Sequence, residues 1–214
     1  TTSAVNVGDF KDVMRPYLEK GTDILYLGFS SGLSNTYNAG RIACEELAEE
    51  FPERKLYAVD TLCASLGQGL LVYHAAKMRF DGKSIEEVRD FAEGNKLRLC
   101  HWFTVDDLFF LKRGGRLSGA VAVVGTILNI KPLLHVDSEG KLTSTGTIRG
   151  RAKSIDALIS RIGETGIDLE NQDIFMVHGD CIEEAEAAAK KAEEDAKAAA
   201  AKAAADAKAA EEQA

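Results

Sequence analysis

The apolar run Ile24-Leu25-Tyr26-Leu27-Gly28-Phe29 stops abruptly at Ser30-Ser31-Gly32. So short a run with no polar alternation reads as a strand buried on both faces. Beyond the serines, Leu33, Tyr37, Gly40, Cys44, Leu47 and Phe51 recur at alternating four- and three-residue steps, one stripe of an amphipathic helix. Cys44 lies on that stripe, so core packing is its expected job. Lys55 to Val59 resembles a second short strand that ends at Asp60, and "TLCASLGQGLLVYHAAKMRF" reads as a turn and a second helix. Strand, loop and helix, repeated, is the pattern of a parallel α/β layer.

The second half has another rhythm. "TVDDLFFLKRGG" places Thr104 three residues before Asp107, a capping-box-like helix start, with Gly114 as a stop. "LLHVDSEGKLTS" sets a Ser-Glu-Gly turn between two short alternating runs, which predicts a hairpin. "RAKSIDALISRIG" returns to a helical period and "DIFMVHGD" to a strand. This half therefore reads as helices on a mixed, partly antiparallel sheet. The expected organisation is an α/β domain over 1–98, a mixed α/β domain over 99–181 and an alanine-rich helical extension over 182–214. Alanine favours helix in that extension, yet no large apolar residue follows Ile182 to anchor it.

With 214 residues the chain is long enough for one or two domains with a real core. A formal charge of −8 argues against nucleic acid or an anionic membrane as a broad partner surface. No apolar stretch reaches the length of a membrane span and no signal peptide is visible, and a start at Thr1 without a methionine raises the expectation of a fragment. Cys44, Cys63, Cys100 and Cys181 lie far apart with no C-x-x-C pair. Reduced structural thiols and a cytoplasmic location are expected. No metal site is expected, because no two histidines have metal-ligand spacing.

In a parallel α/β layer, ligands gather at the carboxyl ends of the strands, where loops enter helices. Ser30 and Ser31 stand at such an end. A helix starting there exposes free N–H groups and a positive dipole end, so a carboxylate or phosphate is the natural guest. Plain helix capping by one serine, worth about 1 kcal/mol, is the simpler alternative. A serine nucleophile is the third reading, but the stretch is expected to lack the G-x-S-x-G elbow, with glycine at the wrong offset for Ser30, and the four histidines offer no obvious base. His74 and His135 sit in apolar segments as packing residues, His101 ends an apolar run, and His178 at a strand end is the best candidate. No catalytic residue is expected.

Five stretches now carry a resemblance: "TTSAVNVGDF", "SSGLSNTYNAG", "VDTLCASLGQG", "LKRGGRLSG" and "LNIKPLLHVDSEGKLTSTGTIRGRAKSI". In this order they resemble the DegV family of bacterial fatty-acid-binding proteins across most of residues 1 to 180. The resemblance implies a two-domain α/β protein that holds one long-chain fatty acid between its domains, needs no cofactor, and catalyses nothing itself. It implies a fatty-acid kinase as partner, which converts the presented carboxylate to an acyl phosphate for phospholipid synthesis. Oligomeric state stays open.

Carried over by residue, the resemblance assigns the carboxylate to Thr2, Ser30, Ser31 and the Gly32 backbone, with Ser3 beside Thr2. Phe29, Phe103, Leu108, Ile127, Leu128 and Leu133 are the candidate acyl-tunnel residues. Arg116 in the Gly114-Gly115-Arg116 element, Lys131 in Ile130-Lys131-Pro132, and Arg149 are expected at a kinase-facing surface or in structural ion pairs. The family's early Asp-Ser strand and its late His-(Thr or Ser)-Gly-Pro-Gly signature are not found, so the chain is expected to lack both family termini. A serine-dependent esterase or phosphate-handling enzyme using the same helix end, and a truncated ligand-free fragment, are the alternatives.

Overall fold

Strands β1 (Ile24–Gly28) and β2 (Leu56–Asp60) pair in parallel, Ile24 opposite Leu56 and Gly28 opposite Asp60. The computed structural model describes residues 3–117 and 129–211. Successive residues of β1 pack on opposite sides, as a two-period strand requires. Ile24 and Tyr26 meet Met14, Leu18, Cys44 and Leu47, contributed by α1 (Val7–Glu19) and α2 (Thr36–Glu50). Leu25 and Leu27 meet Val59, Leu71 and Ala92, the last two from α3 (Ser65–Phe80) and α4 (Ile85–Asn95). Helices thus cover both faces. Complete burial of a leucine such as Leu18 or Leu47 contributes about 1.5–3 kcal/mol. Cys44 is core, and burial pushes its thiol up to about 11.

Two helices of this layer have capping boxes. The Asn6 side chain accepts from Asp9 N while Asp9 accepts from Asn6 N, and Ser84 and Glu87 do the same for α4. On the outer surface Glu50 of α2 receives Arg15 and Lys11 of α1, which hold its carboxyl down to about 2.

The second sheet has the order β3-β4-β5, built from Trp102–Phe103, Ile130–Val136 and Leu142–Arg149. β3 and β4 are antiparallel, with Trp102 opposite His135 and Phe103 opposite Leu134. The expected hairpin is present as β4, the Asp137–Lys141 turn and β5. Two compact units result. One is the chain up to His101 together with Val136–Leu142; the other is Trp102–His135 together with Thr143 onward. The hairpin's turn therefore belongs with the parallel layer, a return that a single boundary near Arg98 does not contain.

Three local expectations are corrected. Helix α5 is only Phe109–Arg113, with Leu108 at its N-cap: Thr104 gives its hydroxyl to Pro132 O at 2.7 Å instead of capping, and Asp107, one residue ahead of the cap, accepts Phe109 N at 2.7 Å. Asp173–Asp180 forms no strand, and Ile174 and Val177 are exposed at 45 % and 58 %. The alanine-rich segment is the helix α7 (Ile182–Glu211), and small residues do anchor it. Ala188 and Ala192 pack against Ile155, Ile159 and Ile162 of α6 (Arg151–Thr165).

Candidate functional site

Where β1 and β2 end, two turns are tied together. Ser30 N donates to Cys63 O at 2.9 Å, and Thr61 donates its hydroxyl to Gly28 O at 2.6 Å. Asp60 closes the β1 turn onto the β2 turn, because its Oδ1 accepts both Ser31 N at 3.2 Å and Leu62 N at 3.1 Å. Cys63 is buried beneath them, with its thiol pushed up to about 11 by burial, so it is no nucleophile.

The helix after the serines starts later than expected. α2 begins at Thr36, and its first N–H is received by Ser34 Oγ at 3.2 Å. Ser30 and Ser31 lie in a separate turn that supplies its own acceptors. Gly32 N donates to Ser30 Oγ at 3.1 Å, and Leu33 N and Ser34 N donate to Ser30 O at 3.1 and 3.2 Å. The helix-end reading of this site is thereby corrected: its N–H groups belong to a closed turn. Ser31 is exposed, whereas Ser30 is completely buried and donates to Gly140 O at 2.7 Å.

Gly28-Phe29-Ser30-Ser31-Gly32 does spell the G-x-S-x-G of a nucleophile elbow, so the expectation that glycine stands at the wrong offset is corrected. Geometry rejects it all the same. The hydroxyl of Ser30 donates to a main-chain carbonyl, where an elbow needs it to donate to a base. Ser30 also lacks the strained left-handed backbone, which among nearby residues belongs to Leu62 and Ser65. His178, the proposed base, is exposed and accepts Cys181 N at 3.2 Å.

The remaining candidates are distributed as follows. Thr2, Ile127 and Leu128 lie outside the described residues; Ser3 is exposed. Phe29 is half-buried in the first unit. In the second, Leu133 is buried on β4 while Phe103 and Leu108 are half-buried. Lys131 pairs with Asp106 at 2.7 Å and holds that carboxyl below the ordinary range, with Arg151 at 3.7 Å from the same oxygen. Arg116 donates to Gly114 O at 3.0 Å and, like Arg149, is exposed. Asp60 and Gly140, which shape the serine turn most directly, were missed. An acid at a strand's carboxyl end facing a second such end is the one signal that could have found Asp60.

A parallel layer with a hydroxyl-bearing turn at its strand ends, followed by an antiparallel unit, defines a two-unit α/β protein with a polar turn at its paired strand ends. The chain belongs to the DegV family, whose model matches residues 1–206. It is 47% identical to a DegV domain-containing protein of Clostridium perfringens over 91% of this chain and 67% of that protein. A crystal structure of a Ruminococcus gnavus DegV-family protein with vaccenic acid shares the fold, with a TM-score of 0.81 at 21% identity over 91% of this chain and 68% of the other. A Thermus thermophilus DegV-family protein, described for its fatty acid binding, is 36% identical over 80% of this chain and 58% of the other, with a TM-score of 0.66. The chain spans about half to two thirds of the length of the curated relatives it matches. Among the described residues no helix is long and apolar enough to cross a membrane.

Proposed function

We propose that this chain binds a long-chain fatty acid as a non-catalytic carrier and presents the carboxylate to a fatty-acid kinase. The observation that carries this reading is the Ser30-Ser31-Gly32 turn at the paired strand ends, in a chain 36% identical to a fatty-acid-binding member of its own family. Thr2, Ser30, Ser31 and Gly32 are the groups assigned to the carboxylate, and of the two adjacent serines Ser31 is the exposed one. Phe29, Phe103, Leu108, Ile127, Leu128 and Leu133 are assigned to the acyl chain. Arg116 and Arg149 are the exposed cations left for the kinase, since Lys131 is engaged by Asp106. A cytoplasmic location fits Cys44, Cys63, Cys100 and Cys181 as reduced thiols.

Magnitudes divide the labour. Burying a sixteen-carbon chain at roughly 0.8 kcal/mol per CH₂ contributes on the order of 10 kcal/mol before association costs. Each hydroxyl contact to a charged head contributes about 1–3 kcal/mol. The tail sets affinity and the serines set orientation.

The test is denaturing mass spectrometry of purified protein, followed by delipidation and titration with oleate. Bound acyl chains, loaded more weakly by Ser31→Ala, support the reading. Absence of lipid in several preparations together with no oleate uptake overturns it. Acyl-phosphate formation in the presence of a bacterial fatty-acid kinase and ATP, reduced by Arg149→Glu, tests the partner.

A further inference from the structure

One of the hydroxyls assigned to the head group, that of Ser30, is covered. Ser30 is fully buried, and the cover is the turn between β4 and β5. That turn is internally braced. Asp137 Oδ1 accepts Glu139 N at 2.9 Å and Lys141 N at 3.0 Å, while Asp137 N donates to Lys141 O and Gly140 N to Asp137 O, both at 2.9 Å. A braced turn moves as one piece. Its hold on the serine turn is the Ser30–Gly140 bond and a close backbone contact: a Cβ at Gly32 would lie 2.7 Å from Glu139 O and 2.9 Å from Gly140 O. Gly140 itself is at φ +71°, and a Cβ there would lie 2.1 Å from Ser30 Oγ.

Those contacts point carbonyl oxygens at the same donors an anion needs. Ser30 has one proton to give, and it goes to Gly140 O. Gly32 N–H goes to Ser30 Oγ. Two acids, Asp137 and Glu139, ride on the turn, and Lys141 is already paired with Glu139 at 2.5 Å. A carboxylate on Ser30 therefore needs the Gly140 carbonyl to leave, and its own charge opposes the turn's acids.

We propose that the Asp137–Lys141 turn is a latch that competes with the fatty-acid head group for the Ser30 hydroxyl, so that loading unseats the turn and seating it favours release. This rests on the fatty-acid reading above. By linkage, whatever loosens the latch must tighten head-group binding by the same factor. A carrier that hands its cargo on gains from such a device, because the vacated donor is refilled from within the chain.

Amide hydrogen exchange on the delipidated full chain, with and without oleate, reads the latch directly. With native mass spectrometry showing oleate bound, faster exchange across residues 137–141 is expected. Unchanged or slower exchange there, in oleate-loaded protein, overturns the latch and leaves the fatty-acid reading intact. No oleate uptake overturns both. Gly140→Ala unseats the turn and is expected to bind oleate about three- to tenfold more tightly. Gly146→Ala, on β5 with open space around it, is expected to leave affinity unchanged. Equal or weaker binding by folded Gly140→Ala overturns the latch; should that variant not fold, the exchange experiment on the unaltered chain decides alone.

Discussion

The His101 ring lies directly on the backbone of Gly67: a Cβ at position 67 would be 1.6 Å from its Nε2 and 1.7 Å from its Cδ2. Gly67 is in the first turn of α3, so the glycine is there for the imidazole and not for the helix. Gly67→Ala should therefore destabilise the chain, by about 1–3 kcal/mol as overpacking does, even though alanine is the better helix former. Gly94→Ala in α4 meets nothing within 4 Å and should stabilise by about 0.5–1 kcal/mol. Urea unfolding of the two variants should move in opposite directions.

The same contact predicts a pH dependence. His101 Nε2 is buried without a hydrogen-bond partner, and burial lowers the imidazole's pKa below its ordinary 6.5. The first turn of α3, with its positive dipole end, also disfavours an imidazolium. The unfolded chain binds the proton more readily than the folded one does. Stability is thus unaffected above about pH 6.5 and falls as the pH drops from there towards the lowered folded value. His101→Phe keeps a ring on Gly67 and removes the proton site. Its midpoint in urea should change less between pH 7.5 and 5.5 than that of the unaltered chain; an equal change would assign the effect elsewhere.

How much of this was legible in the sequence depends on the element. β1 and β2 were readable because residues buried on both faces leave an unbroken apolar run, and α2 because Cys44 and Leu47 hold one stripe. α1 and α4 went unread. Pro16 sits inside α1 and argues against helix, although the Asn6–Asp9 and Ser84–Glu87 capping boxes were there to be seen. The serine turn was located, but its closure was not. The partner of Ser30 is Gly140, 110 residues away, and no local pattern encodes a bond of that separation. Ile174 to Val177 looks like a strand because β-propensity is local, while pairing is set by the neighbours available.

Asp60 is the next residue whose role can be measured. One carboxylate oxygen receives Ser31 N and Leu62 N and so holds Leu62 at φ +53°, a conformation leucine rarely adopts. Asp60→Ala removes the acceptor from both turns and should destabilise the chain by about 1–3 kcal/mol, as loss of hydrogen bonds to a charged group does. Asp60→Asn retains an acceptor oxygen and should cost less. Thermal or urea unfolding of the pair checks this; if Asn were as harmful as Ala, the carboxylate's charge and not its acceptor geometry would be what the turns need.

The alanine-rich helix gives the last prediction. α7 touches α6 through Ala188 and Ala192, at 8 % and 3 % exposure, and through ion pairs at Arg151–Glu184 and Lys191–Asp156. The pairs are exposed, and such pairs contribute about 0–1 kcal/mol each. The alanine contacts must then dominate the docking, because methyl groups let the two helices approach closely beside Ile155, Ile159 and Ile162. Ala192→Asp places a short charged side chain against that isoleucine surface, where it has no partner and costs several kcal/mol. Lys191→Ala removes only an exposed charge. Exchange across α7 should therefore rise strongly in Ala192→Asp and barely in Lys191→Ala, with the parallel layer of β1 and β2 unaffected in both. Comparable deprotection in the two variants would mean that charge, not apolar contact, holds α7 in place.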